Sequence, residues 1–95
     1  RIKPEPAKAL KASGTRGFVY FLRTGDVVKI GFARNVQNRV KSLGTSLSEV
    51  PEVLKVIPGT DETERYFHAH FDAYRQKGEW FRLEGALAAF LSVKR

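Results

Sequence analysis

From residue 17 onward the chain alternates short apolar runs with turn residues. Gly17 to Leu22 (GFVYFL) and Val27 to Phe32 (VVKIGF) are rich in β-branched and aromatic residues. They flank the polar stretch Arg23-Thr24-Gly25-Asp26, a hairpin pattern. Asn35 follows as a helix cap, Val36, Val40 and Leu43 recur at helical spacing, and Gly44 marks the stop. Glu52 to Ile57 (EVLKVI) reads as a third strand, closed by Pro58 and Gly59. Thr60 or Asp61 caps a second helix that extends to about Tyr74, with Thr63, Phe67, Phe71 and Tyr74 on its inner stripe. Residues 79–83 (EWFRL) form a short apolar segment, and a last helix from about Glu84 places Leu87, Phe90 and Leu91 on one side. The order β-β-α-β-α-(short β)-α predicts an α+β fold: a small three-stranded, largely antiparallel sheet flanked by helices.

Composition sharpens this picture at three points. Residues 1–16 hold several cations and two prolines but only two large aliphatics, Ile2 and Leu10. Such a stretch buries too little to offset its ordering entropy, so it is expected to be a flexible basic arm or linker ahead of a domain at 17–95. Starting at Arg1 rather than Met, the chain is expected to be part of a longer protein or to be guided by a separate DNA-targeting domain. The formal charge of +7 on 95 residues points to a polyanionic partner, nucleic acid before membrane. The chain has no cysteine, which excludes thiolate zinc sites and cysteine nucleophiles. No apolar run approaches the ~20 residues of a membrane span. The expected location is intracellular, in the cytoplasm or on the nucleoid.

The hairpin makes a geometric statement. With its turn centred on Thr24-Gly25, Tyr20 stands directly opposite Lys29, and opposed side chains share one face of a sheet. Lys29 interrupts Val27, Val28, Ile30 and Phe32. A cation in the middle of an apolar strand needs open solvent or an anion. Arg39 borders the buried stripe of the first helix, and its guanidinium is suited to gripping a phosphate through two hydrogen bonds. Glu64 and His68, at i and i+4, share a helix face beside Phe67 and Phe71. Taken singly, each has an ordinary reading: a solvated lysine, a surface arginine, a surface hydrogen bond. His70 points elsewhere, Trp80 and Phe81 belong to the core, and Glu79 anchors either its segment or the site.

Taken in order, Val19-Tyr20, Lys29-Ile30-Gly31, Arg39 and Glu64 resemble the GIY-YIG nuclease superfamily in its phage-type branch, over about residues 17–83. The stretch from Glu64 through His68 to Gly78-Glu79-Trp80-Phe81 looks like that branch's signature. Two positions depart from the pattern: the first motif's glycine falls one place early, at Gly17, and Lys29 replaces the second motif's tyrosine. The resemblance implies that Tyr20 and Gly31 are the motif tyrosine and glycine, that Arg39 is the helical arginine, and that Glu64 is the metal-binding glutamate.

The expected function is therefore that of a metal-dependent endonuclease domain hydrolysing DNA phosphodiester bonds. Tyr20 serves as base for the attacking water, with the adjacent ammonium of Lys29 favouring the phenolate. Arg39 clamps the phosphate as charge builds, and His68 relays a proton or orients Glu64. Acidic residues near this set are few, so one Mg²⁺ or Mn²⁺ on Glu64 is expected, keeping several of its waters. Lys29, Arg34, Arg39 and Lys41 would contact DNA. The alternative is a catalytically weak or inactive DNA-binding module of the same fold; a third class is a protein-interaction domain.

Overall fold

The computed structural model describes residues 16–45 and 50–93; the arm expected over residues 1–16 lies outside them but for Arg16. The first two strands are β1 (Arg16–Thr24) and β2 (Val27–Ala33). Their turn is Gly25-Asp26, with Gly25 at a φ of 61°. A glycine with positive φ at the first central position gives a two-residue turn whose twist matches the strands. The register is therefore two residues from the one expected. Tyr20 pairs with Gly31, and Lys29 pairs with Leu22. A shift of two preserves parity, so Tyr20 and Lys29 still share a face, as diagonal neighbours rather than a direct pair.

Helix α1 (Val36–Gly44) follows, capped by the Asn35 side chain, which accepts a hydrogen bond from the Asn38 backbone N–H at 3.0 Å. Gly44 is its last residue rather than its stop, and Thr45 closes it. Strand β3 (Glu52–Thr60) runs three residues beyond the expected end and includes Pro58. Proline is tolerated because β3 is an edge strand with one side unpaired. Thr60 caps helix α2 (Asp61–His70) in a reciprocal capping box with Thr63.

Helix α2 was expected to reach Tyr74 but ends at His70, and a 3-10 turn (Asp72–Tyr74) leads into β4 (Arg75–Lys77) and β5 (Trp80–Arg82). Tyr74 is drawn away by its hydroxyl, which accepts from the Ala86 N–H at 2.9 Å at the start of α3 (Gly85–Phe90). The α+β class holds, but the sheet has five strands, all paired antiparallel, in the order β3-β1-β2-β5-β4. Strand β5 falls on the short β segment expected within residues 79–83 and joins the sheet, while β4 is an addition; each is three residues, too short to show a period-2 pattern.

Strand alternation divides the sheet into two faces. Val19, Phe21, Val28, Ile30 and Phe81 face α2 and α3, where Phe71, Leu83, Leu87 and Leu91 complete the main core. Tyr20, Leu22 and Ala33 face α1, which covers them with Val36, Val40 and Leu43. Strand β5 pairs with β2 only as far as Lys29. Past that point the β2 edge is open, and groups from both faces can meet there.

Candidate active site

Ile30 turns its backbone polar groups to that open edge. Its N–H donates to the Glu79 carbonyl at 3.0 Å, and its carbonyl accepts from His68 Nε2 at 2.7 Å. A carbonyl only accepts, so Nε2 carries the proton. This bond anchors α2 to β2 and aligns Glu64, one helical turn earlier, with the same edge; Glu64 Oε2 lies 3.8 Å from His68 Nε2. His68 Nε2 is thus committed to a backbone carbonyl, and the ring stands beside the Glu64 carboxylate. His70 is exposed on the outer side of α2 and stacks on Tyr66.

From the opposite face, the Tyr20 ring lies across Gly31. A Cβ at residue 31 would overlap the phenol's Cζ and hydroxyl, so only glycine leaves the ring this path. Tyr20 is fully buried, and among the described residues its hydroxyl has no hydrogen-bond partner of ordinary geometry, although the Arg39 guanidinium lies near enough to act on it. A buried hydroxyl left unpaired costs about 1–3 kcal/mol, the kind of cost that marks a functional position. Burial raises the phenol above its ordinary pKa; Glu79 and Glu64 push the same way, and the Arg39 guanidinium opposes them. The expectation that Lys29 favours the phenolate is thus corrected. The cation acting on Tyr20 is Arg39, because Lys29 is engaged elsewhere.

Lys29 Nζ pairs with the Glu79 carboxylate at 3.1 Å and sits over the Trp80 ring, 5.4 Å from its centre. The anion that a cation in an apolar strand requires is therefore supplied by the protein itself. Glu79 is held by the β4–β5 turn, where Gly78 takes a φ of 59°. Arg75 fixes that turn: it donates to Asp72 Oδ1 and to the Gly78 carbonyl, and lies over the Phe81 ring. The sequence reading did not weigh Arg75 and left Glu79 undecided. The one signal available was a glycine-glutamate turn before an apolar segment.

Glu64 is only 16% exposed. Burial raises its pKa, Glu79 adds to the rise, and His68, Lys29 and Arg65 counter it. Arg39, Glu79 and Glu64 lie within electrostatic reach of Tyr20, and Glu79, His68 and Lys29 within reach of Glu64. Arg34 and Lys41 are exposed. Two positions along a helix turn by about 200°, so Lys41 and Arg39 face nearly opposite ways. Lys41 lines an apolar groove with Val36, Val40, Val53 and Val56, on the β3 side of α1, away from Glu64 and Lys29.

Among the described residues no three His, Cys, Asp or Glu side chains lie close enough to enclose an ion. A hard cation on Glu64 would rely on that carboxylate, its own waters and substrate oxygens, which suits Mg²⁺ or Mn²⁺ and not a protein-enclosed site. No helix among the described residues is long and apolar enough to cross a membrane.

Comparison with known proteins corrects the resemblance drawn from the motifs. No curated protein and no solved structure matches the chain. A family model does match, over residues 17–94, and it is that of the T5orf172 domain. Strings as short as Val19-Tyr20 and Lys29-Ile30-Gly31 also satisfy the ordinary demands of a β-hairpin, and they carry less weight than a match along nearly the whole folded part. The chain belongs to the T5orf172 domain family, and not to the GIY-YIG superfamily its short motifs resemble.

Proposed function

We propose that this domain is a metal-dependent endonuclease that hydrolyses DNA phosphodiester bonds. The observation that carries the reading is the buried, unpartnered hydroxyl of Tyr20, threaded over Gly31 toward an edge shared with Arg39, Glu64 and Glu79.

In this mechanism Arg39 grips two oxygens of the scissile phosphate and offsets the charge that accumulates on them. A Tyr20 phenolate, its own proton given up to solvent as substrate binding opens the edge, takes a proton from the attacking water as the water oxygen bonds to phosphorus and the bond to the 3′ oxygen breaks. The departing oxygen takes its proton from solvent. In the ion-free protein, burial and two carboxylates keep the phenol protonated; neutralising Glu64 removes one of those repulsions and leaves Arg39 acting on the ring. Glu64 would hold the divalent cation, which when bound supplies electrophilic assistance to the leaving oxygen. His68 keeps Glu64 in place through its bond to Ile30. Arg34 and the chain's positive charge add affinity for the backbone without reading bases.

A second reading, a DNA-binding module of the same fold with no chemistry, is favoured by one feature: Lys29 is already neutralised by Glu79. Supercoiled plasmid with Mg²⁺ or Mn²⁺ separates the two. The first reading expects nicking that Tyr20→Phe, Arg39→Ala and Glu64→Gln each reduce by about 10²-fold or more. Plasmid binding with no nicking, or nicking that survives all three substitutions, overturns it.

A further inference from the structure

The Lys29–Glu79 pair is asymmetric in a way that suggests a role. Lys29 is 16% exposed and held on one side by Trp80, whereas Glu79 is 43% exposed. The backbone beneath Glu79 is pinned at two points, by the Ile30 N–H on its own carbonyl and by Arg75 on the Gly78 carbonyl. The carboxylate can therefore leave while the turn stays. It also has an incentive to leave, since Glu64 is near enough to repel it. The ammonium is the more buried partner and is held against the Trp80 ring.

We propose that the Glu79 carboxylate is a built-in competitor for the substrate phosphate: it occupies the Lys29 ammonium in the free protein, and a phosphate oxygen must displace it to reach the Tyr20 edge. This rests on the nuclease reading above and names the partner of its fourth cation. A carboxylate and a phosphate oxygen present the same donor-accepting charge to an ammonium, so one can stand in for the other. While the pair is closed, Lys29 contributes nothing to DNA affinity. When a phosphate opens it, Lys29 faces the diagonal neighbour Tyr20 with a reactive ester between them.

The test is equilibrium binding of a short fluorescent DNA duplex to the 95-residue chain in EDTA, so that no cleavage intervenes. It is repeated with inorganic phosphate, followed through the NMR amide shifts of Lys29 and Gly31. Glu79→Gln is expected to tighten both by about three- to tenfold, and to steepen the salt dependence of duplex binding by about one charge. In a Lys29→Ala background the same substitution should gain less than about twofold, the residue of a general charge effect. An equal gain in both backgrounds, or no gain, overturns the proposal. Phosphate binding that shows the Lys29-dependent gain while the duplex does not bind at all would uphold the competitor and remove the DNA reading. Duplex binding without the gain does the reverse.

Discussion

At the scale of single residues, Gly31 and Glu64 show how the site is kept against the interest of stability. Gly31 earns its place only because the Tyr20 ring crosses it. Gly31→Ala forces the ring or the strand aside, and overpacking of this kind costs about 1–3 kcal/mol. The expected outcome is a lowered Tm together with loss of nicking, whereas Gly78→Ala, at an open turn of positive φ, lowers Tm without altering the Tyr20 environment. Glu64 works in the opposite direction. Its pKa is raised by burial and by Glu79, so the folded protein holds that proton more tightly than the unfolded chain does. Stability from this source is fully present below the unfolded pKa and is lost as pH climbs through the folded one. At neutral pH the charged carboxylate is a burden, and Glu64→Gln should raise Tm, by a gain that shrinks as pH falls and the wild-type carboxylate takes up its proton. Adding Mg²⁺ or Mn²⁺ should raise the wild-type Tm and leave the variant unmoved. A variant less stable than wild type at pH 7 would contradict this account of Glu64.

At the scale of elements, the site depends on where helices begin and strands stop. The Asn35 cap sets the start of α1, and with it the placement of Arg39 four residues on. Asn35→Ala removes the acceptor of the Asn38 N–H at about 1 kcal/mol, a Tm loss of roughly 4–8 °C in a domain of this size, and Asn35→Ser should recover most of it. Thermal melts of the two variants decide the matter. The cap was legible because Asn before a Val-x-x-x-Val-x-x-Leu spacing is a local signal, and the same holds for Thr60 ahead of α2. The hairpin was legible as a hairpin, but its register was not: Thr24-Gly25 and Gly25-Asp26 are both acceptable turns, and the choice lies with the φ of Gly25. Parity survived the two-residue difference, which is why Tyr20 and Lys29 still share a face. Strand β5 falls inside the short apolar segment expected at residues 79–83, whereas β4 was beyond reach for a different reason. Arg75-Gln76-Lys77 has no apolar alternation, and it is held as a strand by what Arg75 touches on Asp72, Gly78 and Phe81. Glu79 depends on that tertiary turn and so was left undecided.

At the scale of the whole molecule, the fold decides which of the surplus positive charges a polyanion can meet together. Expectation treated Lys29, Arg34, Arg39 and Lys41 as one contact set. The fold turns Arg39 toward Tyr20 and Lys41 toward the valine-lined groove beside β3. A duplex seated on the β2 edge, where Glu64 and Tyr20 are reached, contacts the first and misses the second. Counterion release makes this measurable, because each phosphate neutralised contributes about 0.9 to the slope of log affinity against log salt. Arg39→Ala should lower that slope by about one. Lys41→Ala, an equal loss of charge, should leave it unchanged and weaken binding only slightly through the overall field. A slope that falls equally for both substitutions would move the duplex off the β2 edge and across α1, separating the DNA from Glu64 and Tyr20 and leaving binding without hydrolysis.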